Sequence, residues 1–233
     1  MSAPRAVLVT GGTGALGQAV ARLLLDQGAR VALSYRKAAE WRAVQDALAA
    51  GDRLVGVEAE LSDADAARAA VDQAARSLGA LDGVALVAGG WAGGTPFDAA
   101  PADEWSRMLR ANLDSAANVC RHALPLLRAQ KGAIVAVGSR AAETGGAGMA
   151  AYAVSKQALH ALVRVLALEN RGSVRINAVL PGTIDTKANR DAMKTADHGA
   201  WTSPEAIARV VAFLLSSTSA PTTGALVPVD SPA

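Results

Sequence analysis

The chain has 233 residues, 51% of them hydrophobic, and a formal net charge of +2. This length accommodates one α/β domain with a large core. The small net charge gives no reason to expect a nucleic acid or an anionic membrane as a partner.

The chain begins with a predicted strand, a glycine loop and a helix, in that order. Residues 5–10 form a short apolar run that predicts a buried parallel strand. Gly12, Gly14 and Gly17 then fit the pattern G-x-G-x-x-G, and residues 18–27 are apolar at helical spacing. In such a unit the backbone turns tightly and approaches a pyrophosphate, whose charge faces the helix N-terminus. The order of the elements favours dinucleotide binding over a glycine-rich turn without a ligand.

The second predicted strand, residues 30–35, ends without the carboxylate that holds a ribose 2′-hydroxyl in NAD-specific sites. Arg36 and Lys37 follow it instead. Arg36 can meet a 2′-phosphate with a fork of donors, and Lys37 adds positive charge. The sequence therefore predicts NADP(H) as the preferred cofactor and NAD(H) as the second candidate, with a solvated basic turn as the alternative.

Strands and helices alternate through the rest of the chain. This alternation predicts a single doubly wound α/β (Rossmann) domain over residues 1–233, in which helices flank a mostly parallel sheet of about seven strands. The further predicted strands are 53–58, 82–87, 132–138, 174–180 and 225–229, and the predicted helices are 63–78, 103–130 (as one helix or two), 151–170 and 204–218.

Three features of the sequence indicate the cellular compartment of the protein. The lone Cys120 excludes an internal disulfide and suits a reducing cytosol. The N-terminus lacks the basic and then apolar pattern of a signal peptide. No uninterrupted apolar stretch reaches the length of a membrane span. We therefore expect a cytoplasmic protein without a membrane partner.

Tyr152 and Lys156 lie four residues apart on a predicted helix, so they share one helix face. An ammonium near a phenol favours the phenolate, and we expect Lys156 to lower the pKa of Tyr152 towards neutral. Such a phenol can exchange a proton with a substrate oxygen while a hydride moves to or from carbon. Ser139 follows the strand 132–138, at the sheet edge that also carries the glycine loop. The pattern predicts alcohol and carbonyl redox chemistry, with a solvated helix as the alternative.

In the order and spacing of its motifs, the whole chain resembles the short-chain dehydrogenase/reductase family. The resemblance implies that Ser139 and Tyr152 hold the substrate oxygen and that Lys156 binds the nicotinamide ribose. It also implies a homodimer or homotetramer built through the helices 103–130 and 151–170. The matching segments are Thr10-Gly11…Gly17, Asn112, Ser139, Tyr152-x-x-x-Lys156, Asn177…Pro181-Gly182 and Thr223-Gly224…Asp230.

The same resemblance implies the cofactor contacts and a fourth catalytic residue. Asn112 would complete a proton relay through water, and a Pro-Gly segment would close over the nicotinamide. The implied cofactor contacts are Gly11, Gly12, Thr13, Gly14, Leu16, Gly17, Tyr35, Arg36, Glu60, Leu61, Ala88, Gly89, Tyr152, Lys156, Pro181, Gly182, Ile184 and Thr186.

The chain also departs from the usual family pattern. Ala15 replaces the middle glycine of the loop, a small change that should still admit a phosphate. Residues 86–89 read Leu-Val-Ala-Gly where many members have Asn-Asn-Ala-Gly. A central polar network is therefore missing or rebuilt.

A closer resemblance links residues 87–94 and 179–190 to the dihydropteridine reductases, which reduce a quinonoid pterin with NADH. Those enzymes typically lack the serine and the relay asparagine, whereas this chain has both Ser139 and Asn112. We therefore favour a small carbonyl or alcohol substrate, and pterin reduction is the first alternative. A cofactor-sensing or scaffold protein without catalysis is the second, but a sensor does not need a proton donor.

Three residues are candidate substrate contacts. Trp91 follows the fourth strand and Trp201 ends a segment rich in polar residues, and either indole could stack on a flat substrate or pack a loop onto the domain. Arg140 begins another loop that faces the substrate. Residues 186–203 are predicted to form a short lid. The three histidines lack metal-ligand spacing, so no metal site is expected.

Overall fold

The computed structural model describes residues 5–230 and contains a seven-stranded sheet in which every pair of neighbours is parallel. The predicted doubly wound α/β architecture is confirmed. The strands are β1 Ala6–Val9, β2 Arg30–Tyr35, β3 Leu54–Glu58, β4 Gly83–Leu86, β5 Ala133–Val137, β6 Arg175–Pro181 and β7 Leu226–Val229. Their spatial order is β3-β2-β1-β4-β5-β6-β7.

Nine α-helices lie within the described residues. They are α1 Ala15–Asp26, α2 Ala38–Leu48, α3 Ala64–Leu78, α4 Glu104–Leu109, α5 Ser115–Gln130, α6 Arg140–Thr144, α7 Ala150–Glu169, α8 Lys187–Ala192 and α9 Pro204–Leu215. The predicted helix 103–130 is α4 and α5, joined through a π-helical turn at Arg110–Asp114. The sequence did not predict α6 and α8, which have five and six residues. No helix in this part of the chain combines the length and hydropathy needed to cross a membrane.

The sheet separates two hydrophobic cores, because successive side chains of a strand point to opposite faces. In β1, Leu8 packs into the core under α3, α5 and α7, whereas Val7 and Val9 pack into the core under α1, α2 and α9. All three side chains are fully buried. Each such burial stabilises the fold by about 1.5–3 kcal/mol, so both helix layers are fixed to the sheet.

The strand order reverses at β1. From there β2 and β3 extend to one side, and β4 to β7 extend to the other. Loops leaving the carboxyl ends of β1 and β4 diverge at this point and leave a crevice, which is where ligands bind in sheets of this kind. The glycine loop after β1, Gly89 after β4 and Ser139 after β5 all lie along this edge.

Candidate active site

A cavity of about 1000 Å³ opens at the carboxyl edge of the sheet. Its walls come from the loops after the strands and from α7 and α8. Most of the residues that the sequence singled out are brought together here. The lining includes Gly11, Thr13, Gly14, Leu16, Gly17, Tyr35, Arg36, Glu60, Leu61, Ala88, Gly89, Trp91, Ser139, Tyr152, Lys156, Pro181, Gly182 and Ile184.

Two predicted substrate contacts, Arg140 and Trp201, are not part of this lining. The guanidinium of Arg140 forms an ion pair with the carboxylate of Asp230. The ring of Trp201 packs against the imidazole of His198, with 4.4 Å between the ring centroids. Both side chains therefore contact protein groups outside the cavity. Trp91 does line it, and 62% of this residue is exposed to solvent.

Two predicted cofactor contacts, Gly12 and Thr186, also lie outside the lining. The backbone N–H of Gly12 donates to the Ser34 carbonyl at 2.9 Å. The hydroxyl of Thr186 accepts the backbone N–H of Asn189 at 3.2 Å and so caps α8. Each residue shapes an element beside the cavity without facing it.

The sequence analysis missed several residues that line the cavity, among them Met149, Asn189, Ala192 and Met193. Met149 precedes Tyr152 by three residues, and the other three lie at i, i+3 and i+4 around α8. Residues at these spacings share a helix face. Helical periodicity within the predicted lid was therefore the signal that could have found the three residues around α8, and the helical spacing from Tyr152 could have found Met149.

Tyr152 and Lys156 lie one turn apart on α7, as their spacing predicts. The Ser139 side chain lies close enough to the Tyr152 phenol to lower its pKa. Ser139 occupies the N-cap position of α6, where a serine oxygen commonly accepts a helix N–H. Here the side chain makes no capping hydrogen bond. Its hydroxyl is therefore available to the phenol and to the cavity.

The pKa of Tyr152 differs from the predicted one. Burial raises the pKa of Tyr152, and Ser139, which lowers it, is the weaker influence. This direction is opposite to the predicted one. The Lys156 ammonium donates to the Val137 carbonyl at 2.8 Å, and burial lowers its pKa to about 8. The prediction failed because the ammonium bonds to β5 and desolvation dominates at the phenol.

Asn112 lies behind the cavity wall, on the π turn, and is fully buried. Its side-chain oxygen accepts the Gly90 N–H at 2.9 Å, and its side-chain nitrogen donates to the Gly90 carbonyl and to the Ser155 hydroxyl, both at 3.0 Å. A Cβ on Gly89 would lie 2.6 Å from the Asn112 oxygen and 3.2 Å from the Lys156 nitrogen. Only glycine therefore lets this loop lie against both side chains.

The central polar network is rebuilt around Thr10 at the end of β1. Its buried hydroxyl oxygen accepts the backbone N–H groups of Val87 and Ala88, both at 3.0 Å. The Val87 N–H also donates to the Ala85 carbonyl at 3.1 Å. Thr10 thus holds the loop after β4 in place despite the missing asparagines.

The glycine loop and the start of α1 fit the pyrophosphate of a dinucleotide. A Cβ on Gly17 would lie 2.3 Å from the Gly11 carbonyl oxygen, so the helix can start against the loop only because this residue is glycine. The N-cap residue Gly14 offers no side-chain oxygen to the helix, and the first turn carries no acidic residue. Backbone N–H groups at this terminus therefore remain available to an anion.

The end of the cavity beside β2 carries both signs of charge. Arg36 and Lys37 pair with Glu60 at 3.5 Å and Glu40 at 3.0 Å, and both basic side chains are about three-quarters exposed. The ring of Tyr35 stacks on Trp41, with 5.4 Å between centroids. Neighbouring carboxylates thus hold the basic groups at this end of the cavity.

Comparison with known proteins identifies the family. A family model described as enoyl-(acyl carrier protein) reductase matches residues 12–231. The chain is 33% identical to cis-4-hydroxycyclohexanecarboxylate dehydrogenase of Sinomonas cyclohexanicum, covering 98% of this chain and 96% of that protein.

Two solved structures share the fold. One is an NADPH-bound short chain oxidoreductase of Pseudomonas aeruginosa PAO1 with an atypical catalytic centre (30% identity, TM-score 0.88, 96% of this chain and 95% of that chain). The other is an NAD⁺-bound xylitol dehydrogenase (26% identity, TM-score 0.89, 97% of each chain). The chain therefore belongs to the short-chain dehydrogenase/reductase family of oxidoreductases.

Proposed function

We propose that this oxidoreductase uses NADP(H) to interconvert a small, uncharged carbonyl compound and its alcohol. The observation that carries the proposal is that Ser139, Tyr152 and the buried ammonium of Lys156 line one cavity, with Ser139 close enough to influence the pKa of Tyr152. This group shares one cavity with the glycine loop. When bound, the nicotinamide supplies or accepts the hydride.

In the reductive direction, the hydroxyl groups of Ser139 and Tyr152 donate hydrogen bonds to the carbonyl oxygen as negative charge develops on it. The raised pKa of Tyr152 keeps its phenol protonated at neutral pH, so the phenol can give its proton to that oxygen. Lys156 places a positive charge at the wall behind the phenol. Asn112 holds the Gly89–Gly90 loop against Lys156, and we assign the proton relay through water to this place.

An uncharged substrate is favoured by the lining near Tyr152. Trp91, Ala141, Met149, Ala192 and Met193 are lining residues that carry no charge, and Ala141 and Met149 lie within three residues of Ser139 and Tyr152 in the sequence. The charged side chains among the described lining residues are Arg36, Lys37, Glu40, Glu60 and Lys156. The first four lie close to the ends of β2 and β3, where the 2′-phosphate of NADP(H) is proposed to bind. The Lys156 ammonium donates to the Val137 carbonyl. A substrate carboxylate would lose its hydration without gaining a partner, which is costly.

A substrate screen tests this proposal. Purified protein would be assayed with NADPH and with NADH against cyclic ketones, the matching keto acids, sugars and quinonoid dihydropterin. We expect NADPH-dependent turnover of neutral ketones, with kcat/KM at least about tenfold above that of the keto acids. Turnover of the dihydropterin without any ketone would select pterin reduction, which the relatives described above do not favour.

The NADP(H) preference is proposed to depend on Arg36. We expect Arg36→Ala to weaken NADPH binding by roughly tenfold to a hundredfold, the effect of losing one charge-assisted hydrogen bond, and to leave NADH binding nearly unchanged. The loss also leaves Glu60 unpaired beside the phosphate site. Fluorescence titration of both cofactors gives the two dissociation constants.

Arg42→Ala is the matched control, because Arg42 is an exposed arginine on α2 that does not line the cavity. Its cofactor affinities should equal those of the unmodified protein. An Arg36→Ala variant with an unchanged ratio of NADPH to NADH affinity would remove Arg36 from the 2′-phosphate site.

We also propose a homodimer or homotetramer that uses α7. Its outward side chains Val154, Val165 and Leu168 are 44%, 50% and 61% exposed, which is unusual for apolar residues on one helix. Association of two copies would remove this apolar area from water. Tyr152 and Lys156 lie on the same helix, so association would also stabilise this part of the active site.

A further inference from the structure

A buried histidine lies directly behind the catalytic serine. His160 follows Lys156 by one turn of α7 and is fully buried. Its Nε2 lies 3.2 Å from the backbone nitrogen of Ser139, and its Nδ1 lies 2.7 Å from a carboxylate oxygen of Glu143 on α6. The three groups thus form a chain that leads from the surface of α6 to the catalytic serine.

The partners of the imidazole fix its protonation. A backbone N–H can only donate, so Nε2 must accept the Ser139 N–H and carries no proton. A neutral ring then carries its proton on Nδ1 and donates it to Glu143. The side-chain nitrogen of Gln157 approaches the same Glu143 oxygen at 3.3 Å and helps to hold the carboxylate in place.

The imidazole also determines where the backbone after β5 can lie. A Cβ on Gly138 would be 2.3 Å from Nε2 and 2.5 Å from a methyl carbon of Leu180. Ser139 has extended backbone angles and enters α6 directly above the ring. Its amide position, and with it the direction of its hydroxyl, therefore depends on the acceptor beneath it.

We propose that Glu143 and His160 form a positioning pair that holds Ser139 in reach of the Tyr152 phenol and the substrate oxygen. This inference rests on the proposed function. His160 touches neither cavity nor substrate and acts through the serine amide. A residue that misplaces a reacting hydroxyl by about 1 Å can cost roughly a hundredfold in rate.

The pair also makes the position of Ser139 depend on the protonation state of His160. Protonated imidazole has two donors and cannot accept the Ser139 N–H. Burial lowers the pKa of His160, and Glu143 opposes this by hydrogen bonding and by its charge. The positive charges of Lys156 and Arg164 on α7 lower it further, whereas Leu180 contributes only apolar surface. At neutral pH the imidazole is therefore neutral, and its Nε2 can accept the Ser139 N–H. Activity should fall when the pH drops through the His160 pKa.

Nuclear magnetic resonance of the imidazole nitrogens tests the pair without any substrate. The chain has only three histidines, so a His160→Gln variant assigns the signal. We expect a neutral ring at neutral pH with its proton on Nδ1, and a lower His160 pKa in Glu143→Gln. A proton on Nε2, or a titration that Glu143→Gln leaves unchanged, would overturn the inference, whatever the outcome of the substrate screen.

Kinetics of three variants test the positioning role. His160→Leu should lower kcat by roughly a hundredfold with unchanged NADPH affinity, because Ser139 loses its acceptor. His160→Gln offers an amide oxygen in place of Nε2 and should restore most of kcat. Full activity in His160→Leu, or no recovery in His160→Gln, would overturn the inference.

Glu143→Gln supplies a measurement that does not depend on the folding of the His160 variants. The Glu143 side chain is 40% exposed, so a neutral amide there leaves the packing intact. We expect the acid side of its pH–rate profile to shift to lower pH, in step with the measured His160 pKa. A profile that stays in place while the His160 pKa moves would contradict the positioning role.

Discussion

Tyr152→Phe should lower kcat by about 10²- to 10⁴-fold, the range attributable to a positioned proton donor. The phenyl ring keeps the packing of α7 against the cavity wall, and only the hydroxyl is lost. NADPH affinity should change little, because the glycine loop and the start of α1 still offer their backbone donors. Stopped assays at saturating NADPH and a cofactor titration measure the two quantities separately.

Folding must be checked beside turnover in this variant. Loss of one hydroxyl at the cavity wall should reduce the free energy of unfolding by only about 1 kcal/mol. A thermal melt close to that of the unmodified protein, together with the kinetic loss, would assign the effect to chemistry. Equal losses of turnover and cofactor affinity would mean that residue 152 supports the site only by packing.

Gly17→Ala is expected to damage both stability and cofactor binding. Its Cβ would lie 2.3 Å from the Gly11 carbonyl oxygen and 2.9 Å from the Gly12 Cα. These are backbone atoms, so no side-chain rotation relieves the overlap. We expect a loss of about 3 kcal/mol in the free energy of unfolding, which in a chain of this size lowers Tm by roughly 6–12 °C.

Gly14→Ala is the matched control for stability. Gly14 has φ of −74°, and an added Cβ would meet only the Gly11 carbonyl oxygen, at the ordinary distance of 3.5 Å. Its free energy of unfolding should stay within about 1 kcal/mol of the original. If the two variants melt at the same temperature, the close contact between α1 and the glycine loop does not limit stability.

The sequence predicted the sheet and the long helices because these depend on local periodicity, whereas the family resemblance implied most of the predicted contacts that line the cavity. Once the chain forms a parallel sheet, Gly11, Gly89 and Ser139 must share its carboxyl edge. No knowledge of side-chain contacts was needed for that step. The same reasoning could not find α6 and α8, which are too short for a periodic pattern to reveal.

Contacts between distant parts of the chain could not be predicted from the spacing of residues. Arg140 pairs with Asp230, ninety residues later. The pKa of Tyr152 depends on how deeply α7 is buried and on which carbonyl the Lys156 ammonium reaches. A spacing of four residues places the two groups on one face, but it does not specify the solvent around them. The pairing of His160 with Ser139 was likewise invisible in the sequence.

The π turn at Arg110–Asp114 limits the insertions and deletions that this segment can tolerate. Each residue of a regular helix turns the chain by about 100°. Deleting one codon there would restore regular winding, but it would rotate either α4 or α5 away from the partners it now contacts. Asn112 would then leave Gly90 and Ser155. A length change of one residue at this point should therefore be harder to tolerate than most substitutions nearby.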